Sequence, residues 1–166
     1  VPVGGETLIC GQYTVTWNSV ALGMMQGDAG LPTLEHSYKA EPVANTDSYA
    51  KSTVDAIYQG ADWFASMTCQ EYKAGTIAAW WPFSTLGRMG VIGRLLYDLS
   101  LPLVLTAVAG TPAATSPATL TATRSILAPG FGTRILFGPT LRTVPLRFQL
   151  LPYYVTGTTP GWFTTT

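Results

Sequence analysis

The sequence predicts a mainly β protein: an antiparallel β-sandwich or barrel with one short flanking helix and extended loop and terminal arms. Three observations lead to this fold class. The chain of 166 residues holds 17 glycines and 12 prolines, and their recurrence after position 100 favours short strands and turns over long helices. Several segments alternate apolar and polar residues with the period of a half-buried strand. Hydrophobic residues make up 47% of the chain and charged residues 11%, so a sizeable core is expected.

The length of the chain predicts a single domain with arms. We place the β-sandwich or barrel domain at residues 1–152, with a long loop at about 23–52, and a C-terminal arm at 153–166. The arm is rich in threonine but contains Trp162 and Phe163. These aromatic side chains predict that the arm docks on a protein surface.

Alternation of apolar and polar residues predicts two clear strands in the first half of the chain, at residues 12–17 and 63–72. Gly60 predicts a turn before the second strand. The other segments of this half are weaker strands at 34–38, 42–44 and 52–58, and loops at 23–30 and 45–52.

The best helix candidate follows, at residues 73–81. Pro82 ends this helix, because the residue before a proline disfavours helical backbone. Residues 86–99 carry three glycines, and no element type is assigned to them. The remaining segments are strands at 101–108, 119–127, 134–137 and 144–151, and loops or turns at 109–117 and 128–133.

No constellation of residues in the chain predicts catalysis or metal binding. The one histidine, His36, has no nucleophile motif of the G-x-S-x-G kind to work with. With Cys10 and Cys69 as the two cysteines, the sequence shows no zinc-ligand spacing, and we expect buried thiols. We therefore predict that the protein is not an enzyme and that it has no cofactor and no metal site.

Binding to specific nucleic-acid sequences and to membranes is not expected either. The glycine-containing stretch 87–94 matches no phosphate-binding loop. Six arginines are dispersed between Arg88 and Arg147 in a chain of zero net charge, which does not predict sequence-specific nucleic-acid recognition. The uncharged stretch 99–123 is long enough to span a bilayer, but its three prolines exclude a transmembrane helix.

Charge is distributed unevenly along the chain. Residues 1–87 carry three lysines and eight carboxylates, a net charge of −5, whereas residues 88–166 carry six arginines and one carboxylate, a net charge of +5. Within one domain the halves neutralise each other, whereas on opposite ends of the molecule they favour head-to-tail stacking of identical copies. The low total charge also has two interpretations: a surface rich in uncharged threonine, or a surface that lies against other subunits.

The densest aromatic cluster is Trp80 and Trp81, followed by Pro82 and Phe83. Three interpretations stay open for it: a plug in the core, an anchor between subunits, and a sugar-stacking platform. The candidate inter-subunit contact residues of the whole chain are Trp80, Trp81, Trp162, Phe163, Asp47, Arg142 and Arg147.

The order of these segments resembles the tail tube (major tail) proteins of tailed bacteriophages. The segment from Thr53 to Asp62 is similar to the Asp-x-x-x-x-Gly segment that leads into the central strand of that family. Residues 136–153 are similar to its closing strands. The likeness covers most of the chain through residues 11–17, 53–62, 102–107, 126–131 and 136–153.

This resemblance implies a structural virion protein whose hexameric rings stack into a hollow tube through which DNA passes without sequence-specific contacts. The implied partners are further copies of the chain and other tail proteins, such as the tape measure, the terminator or a sheath. The implied location is the virion tail, with the host cytoplasm during assembly. In such proteins a long loop between early strands and the terminal arms contact the next ring, which here correspond to residues 23–52 and 153–166.

Two other classes of function remain open from the sequence. One is another virion part, such as a head–tail connector, a tail terminator or a capsid decoration protein. The other is a β-sandwich module that binds a carbohydrate or a receptor through Trp80, Trp81 and Trp162.

Overall fold

The computed structural model describes residues 13–23, 31–44, 53–70, 95–108, 118–132, 143–154 and 161–166. They contain eight strands: β1 (Tyr13–Trp17), β2 (Val20–Ala21), β3 (Thr33–Ala44), β4 (Thr53–Cys69), β5 (Leu101–Ala107), β6 (Thr119–Leu127), β7 (Val144–Leu150) and β8 (Thr164–Thr165). These residues contain no α-helix, so the predicted mainly β class is confirmed. The predicted helix at 73–81, loop at 45–52 and strand at 134–137 lie outside the described residues.

All eight strands belong to one antiparallel sheet with the order β2-β1-β5-β6-β7-β4-β3, and β8 pairs with β6. Strands β7 and β8 lie along the same edge of β6, where β7 pairs with residues 125–127 and β8 with residues 120–121. Reciprocal backbone hydrogen bonds of 3.0 and 2.9 Å join Thr119 and Thr166. The end of the chain is therefore part of the sheet.

A two-residue turn joins β1 to β2. Trp17 pairs with Val20, and the intervening Asn18 and Ser19 have φ angles of 51° and 64°. Positive φ at both central residues is the type I′ geometry that matches the twist of antiparallel strands, and asparagine tolerates it well. The turn ends β1 and directs β2 back along its edge.

The core lies on one face of the sheet. Alternate residues of β7, from Val144 to Leu150, are buried, and they pair in register with the buried residues of β4. The rings of Trp17 on β1 and Phe148 on β7 have centroids 5.0 Å apart, although β5 and β6 lie between these strands. Neighbouring strands are spaced by about 4.8 Å, so three steps in a flat sheet would separate the backbones by about 14 Å. The sheet therefore curves towards its core face.

Strand β4 is continuous over 17 residues, so the turn predicted at Gly60 is wrong. Lys39 pairs with Gly60 and Ala40 pairs with Tyr58, which makes Gln59 the extra residue of a β-bulge. Gly60 has a φ of 124°, a conformation that only glycine adopts without strain. A glycine inside a strand pattern indicates a bulge as readily as a turn, and here the chain bends without reversing.

The β3–β4 pair extends well beyond the rest of the sheet. Strand β7 pairs with β4 only from Trp63 to Cys69. Among the described strands, residues 37–44 and 53–62 pair only with each other. We call this two-stranded segment the ribbon, and its ten residues on β4 span roughly 30 Å. The sequence predicts a long loop at residues 23–52. The structure instead places strand β3 within this interval, as one strand of the projecting pair.

Candidate interaction surfaces

One face of the ribbon carries exposed tyrosines. Tyr38 lies two residues after His36, and Tyr58 lies opposite Ala40 on the same face, which continues the core face of the sheet. The side chains of Tyr38 and Tyr58 are 68% and 59% exposed. The bulge at Gln59 determines this arrangement, because regular alternation along residues 58–61 would point Tyr58 and Ala61 to opposite faces. The ribbon therefore presents an aromatic surface that is more than half exposed.

The other face of the ribbon is charged. Lys39 Nζ lies 3.9 Å from Asp62 Oδ2, and both side chains are largely exposed. Gln59 Nε2 donates a 2.6 Å hydrogen bond to Glu41 Oε2. Glu41 has no ion-pair partner within the described part of the chain. The ribbon is thus amphipathic, with aromatic rings on one face and carboxylates on the other.

Arg147, a predicted contact residue, is paired inside the chain. Its Nη2 lies 3.2 Å from Glu35 Oε2, and its guanidinium lies 4.3 Å from the centre of the Phe64 ring. It borders an open groove of about 270 Å³ between β3, β4 and β7, whose lining includes Met67 and Phe131. The exposed fractions of the two charged side chains are 37% and 53%, so the ion pair contributes at most about 1 kcal/mol.

Arg124 occupies a second cationic site on β6. Leu103 pairs with Ala122 and Leu101 with Ser125, so β6 has one more residue than β5 across this interval and forms a bulge. Ser125 is buried on the core face, and the bulge leaves Arg124 on the other face.

Two tyrosine rings and a serine hydroxyl surround the Arg124 guanidinium. Its central carbon lies 5.0 Å from the centre of the Tyr97 ring and 5.9 Å from that of Tyr153. Its Nη1 donates a 3.4 Å hydrogen bond to Ser100 Oγ, and its Nε is buried without an acceptor. The site holds a cation between aromatic rings, but the described residues place no carboxylate in ion-pair contact with it.

The C-terminal aromatic residues pack on the chain's own core. Trp162 and Phe163 are half-buried against the core cluster. The Phe163 ring meets Trp63 edge-on at 5.0 Å, and His36 stacks on Trp63 at 4.8 Å. Trp162 and Phe163 therefore have an intrachain packing role, and their predicted contact with another subunit stays a prediction.

The described residues present no further chemical site. Burial raises the pKa of the Cys69 thiol from 9.0 to about 12, because the thiolate would lose its hydration. No group of three or more His, Cys, Asp or Glu side chains in the described ranges is placed to hold a metal ion. Within the described ranges, no helix is long and apolar enough to cross a membrane.

Of the seven predicted contact residues, the structure describes Arg147, Trp162 and Phe163, and it does not bring Arg147 together with the other two. The remaining four lie outside the described residues: Trp80, Trp81, Asp47 and Arg142. Sequence reasoning missed Tyr38, Tyr58 and Arg124. A tyrosine near the middle of a strand is an ordinary core residue by pattern, and only the strand pairing shows that the ribbon lacks a covering layer.

No protein-family model matches the chain, and a search of curated proteins finds no significant match.

Proposed function

We propose that the chain is a structural, self-assembling virion protein, the tail tube subunit of a tailed bacteriophage. In this proposal hexameric rings of the chain stack into a hollow tube that conducts DNA. The observation that carries the proposal is the ribbon, which projects from the sheet with the tyrosines 38 and 58 more than half exposed. A two-stranded ribbon is marginally stable in water, so it gains stability when its aromatic face packs on another molecule.

Two properties of the whole chain support assembly. Charged residues amount to only 11% of the sequence, which is low for a surface that keeps free monomers apart. The acidic first half and the basic second half, at −5 and +5, supply opposite charges for contacts between identical copies. Both properties fit a protein whose surface is largely covered by its neighbours.

The complete architecture is part of the proposal. The curvature shown by the contact between Trp17 and Phe148 supports closure of the sheet into a sandwich or barrel. The short flanking helix at 73–81 and the arm at 153–166 complete the subunit in this account. A ring of such subunits also covers the exposed edge of β3, because a neighbour lies against it.

DNA is the passing cargo of the proposed tube, and the other partners are the tape measure, terminator and sheath proteins of a tail. A conduit must not hold the DNA backbone tightly, and a wall of neutral or acidic residues meets that need because it does not attract phosphate. Zero net charge of the chain is compatible with such a wall. We place the protein in the virion tail.

The mass of the protein in solution tests the proposal. We expect light scattering to give about 106 kDa for a ring of six chains of 17.7 kDa, and negative-stain electron microscopy to show rings and stacked tubes. Rings that never stack would favour a connector or terminator instead. A protein of 17.7 kDa at every concentration would contradict the proposal, and a binding or decoration module would replace it.

A further inference from the structure

The described residues hold the Arg124 guanidinium in place but offer it few hydrogen-bond acceptors. Its contact with Ser100 Oγ is long, at 3.4 Å, and its Nε is buried without an acceptor. Ser100 Oγ donates its own hydrogen to the Tyr97 carbonyl at 2.6 Å, so it offers Arg124 only a lone pair. Arginine in such a setting is suited to a carboxylate, which accepts two parallel N–H bonds from the guanidinium edge.

The surroundings of Arg124 are an exposed aromatic surface. The guanidinium lies over the rings of Tyr97 and Tyr153, which restrict its orientation. Tyr153 is 38% exposed, and the adjacent Tyr154 is 65% exposed. We call Tyr97, Arg124 and Tyr153 the Arg124 patch. A patch of tyrosines around an arginine has the composition of an interface centre.

The ribbon carries the complementary charge. Three carboxylates on β3 and β4 have described side chains. Of these, Glu35 pairs with Arg147 and Asp62 pairs with Lys39. Glu41 accepts a hydrogen bond from the neutral amide of Gln59 and has no cation partner among the described residues. Among the described residues, Glu41 thus has no cation and Arg124 no carboxylate within ion-pair distance, and each lies next to exposed apolar or aromatic side chains.

Within one molecule Glu41 does not reach Arg124. The register places His36 opposite Trp63, Trp63 opposite Leu150, and Leu150 opposite Ser125, the neighbour of Arg124. Glu41 lies five residues further along the ribbon, about 17 Å beyond that level of the sheet. The described residues therefore do not pair these two charges with each other within one copy.

We infer that the Arg124 patch of one copy of the chain is the acceptor site for the ribbon of another copy, with Glu41 paired to Arg124. This inference rests on the proposed function and names the surface that the ribbon contacts. The two surfaces differ, so the contact is heterologous, and repetition of it builds rings or open stacks instead of closed dimers. Ile57, exposed opposite Glu41 on the same face of the ribbon, and Tyr153 of the patch supply apolar area around the ion pair.

A charge-reversal series tests the pairing. The variants are Arg124→Glu, Glu41→Arg and the double variant, and the assembled fraction is measured by light scattering and electron microscopy. We expect each single variant to lower the assembled fraction at least tenfold and the double variant to recover most of it. The control Ser37→Arg adds a positive charge to the same face of the ribbon nearer the sheet, and we expect it to assemble like wild type.

Circular dichroism shows whether each variant is folded, and Glu41→Arg keeps the test decisive if Arg124→Glu does not fold, because Glu41 lies on an exposed face. Wild-type assembly together with an unaffected Glu41→Arg variant would overturn the acceptor site and leave the proposed function standing. A double variant that assembles no better than the single variants would also overturn the pairing. A wild-type chain that stays monomeric would overturn both.

Discussion

Trp17 and Ser125 are joined by a buried hydrogen bond across the curved sheet. Trp17 Nε1 donates to Ser125 Oγ at 3.1 Å, and the serine hydroxyl donates to the Leu101 carbonyl at 2.7 Å. The two side chains are 2% and 0% exposed, respectively. This relay links β1 to β6 across β5 and holds the indole ring against Phe148. A polar relay inside an apolar core specifies one packing of the large ring.

We expect Ser125→Ala to lower the free energy of unfolding by about 1–3 kcal/mol, because Trp17 Nε1 would be buried without an acceptor. Urea unfolding followed by circular dichroism measures the change. Adding Trp17→Phe to Ser125→Ala removes the indole donor that has no acceptor. The double variant should therefore lose less free energy of unfolding than the sum of the two single losses. Strictly additive losses would show that the hydrogen bond has no energetic role.

The bulge at Gly60 gives a second prediction. Gly60 has a φ of 124°, so the substitution Gly60→Ala strains the backbone. The added Cβ itself meets no atom within 4 Å. We expect a cost of about 1–3 kcal/mol, concentrated in the ribbon. Hydrogen exchange of residues 53–62 should accelerate, whereas exchange in β7 should not. Ser37→Ala, at an ordinary strand position of the ribbon, is the control. Equal protection in both variants would contradict a strained bulge.

A third prediction concerns Phe163 and separates intrachain packing from contact between subunits. The ring is half-buried against Trp63, so Phe163→Ala should lower the free energy of unfolding by about 1–2 kcal/mol. Tyr154→Ala, at a side chain that is 65% exposed, should leave that free energy almost unchanged. Unfolding is measured at a low concentration at which copies do not associate. Unchanged stability of Phe163→Ala would assign the ring to an interface between subunits alone.

Burial of Cys69 predicts an unreactive thiol. A pKa of about 12 in place of 9.0 lowers the thiolate fraction at pH 8 by roughly a thousandfold. Native protein treated with iodoacetamide at pH 8 should leave Cys69 unmodified in peptide mass spectra, whereas unfolded protein should be alkylated. Above about pH 9 the unfolded chain releases this proton and the folded chain retains it, so stability should fall with rising pH there. Rapid native alkylation would contradict the burial.

Local pattern predicted the strands well where one face is buried. The alternation of β1, and of β6 as far as Ala122, follows the core face, and both strands form as predicted. The pattern misled at Gly60, because a glycine permits a bulge and a turn equally. The sequence also could not predict that the β3–β4 pair extends beyond the end of β7, because strand pairing depends on contacts between distant segments.

The candidate surfaces were harder to predict for the same reason. Glu35 and Arg147 are 112 residues apart in the chain, and only the sheet order brings them together. Arg124 lies in a segment whose alternation predicts an ordinary strand. Its tyrosine neighbours come from distant parts of the chain, because Tyr97 precedes β5 and Tyr153 follows β7. The prediction that the C-terminal arm docks was based on aromatic content alone, and the structure shows Trp162 and Phe163 on the core.

Cryo-electron microscopy of particles assembled from the wild-type chain tests the central claim most directly, because it shows where the ribbon lies. The account predicts rings of six copies that stack into a tube, with Tyr38 and Tyr58 of each copy buried against another copy. A particle in which the ribbons project freely into solvent would contradict it. So would a wild-type chain that forms no particle at any concentration.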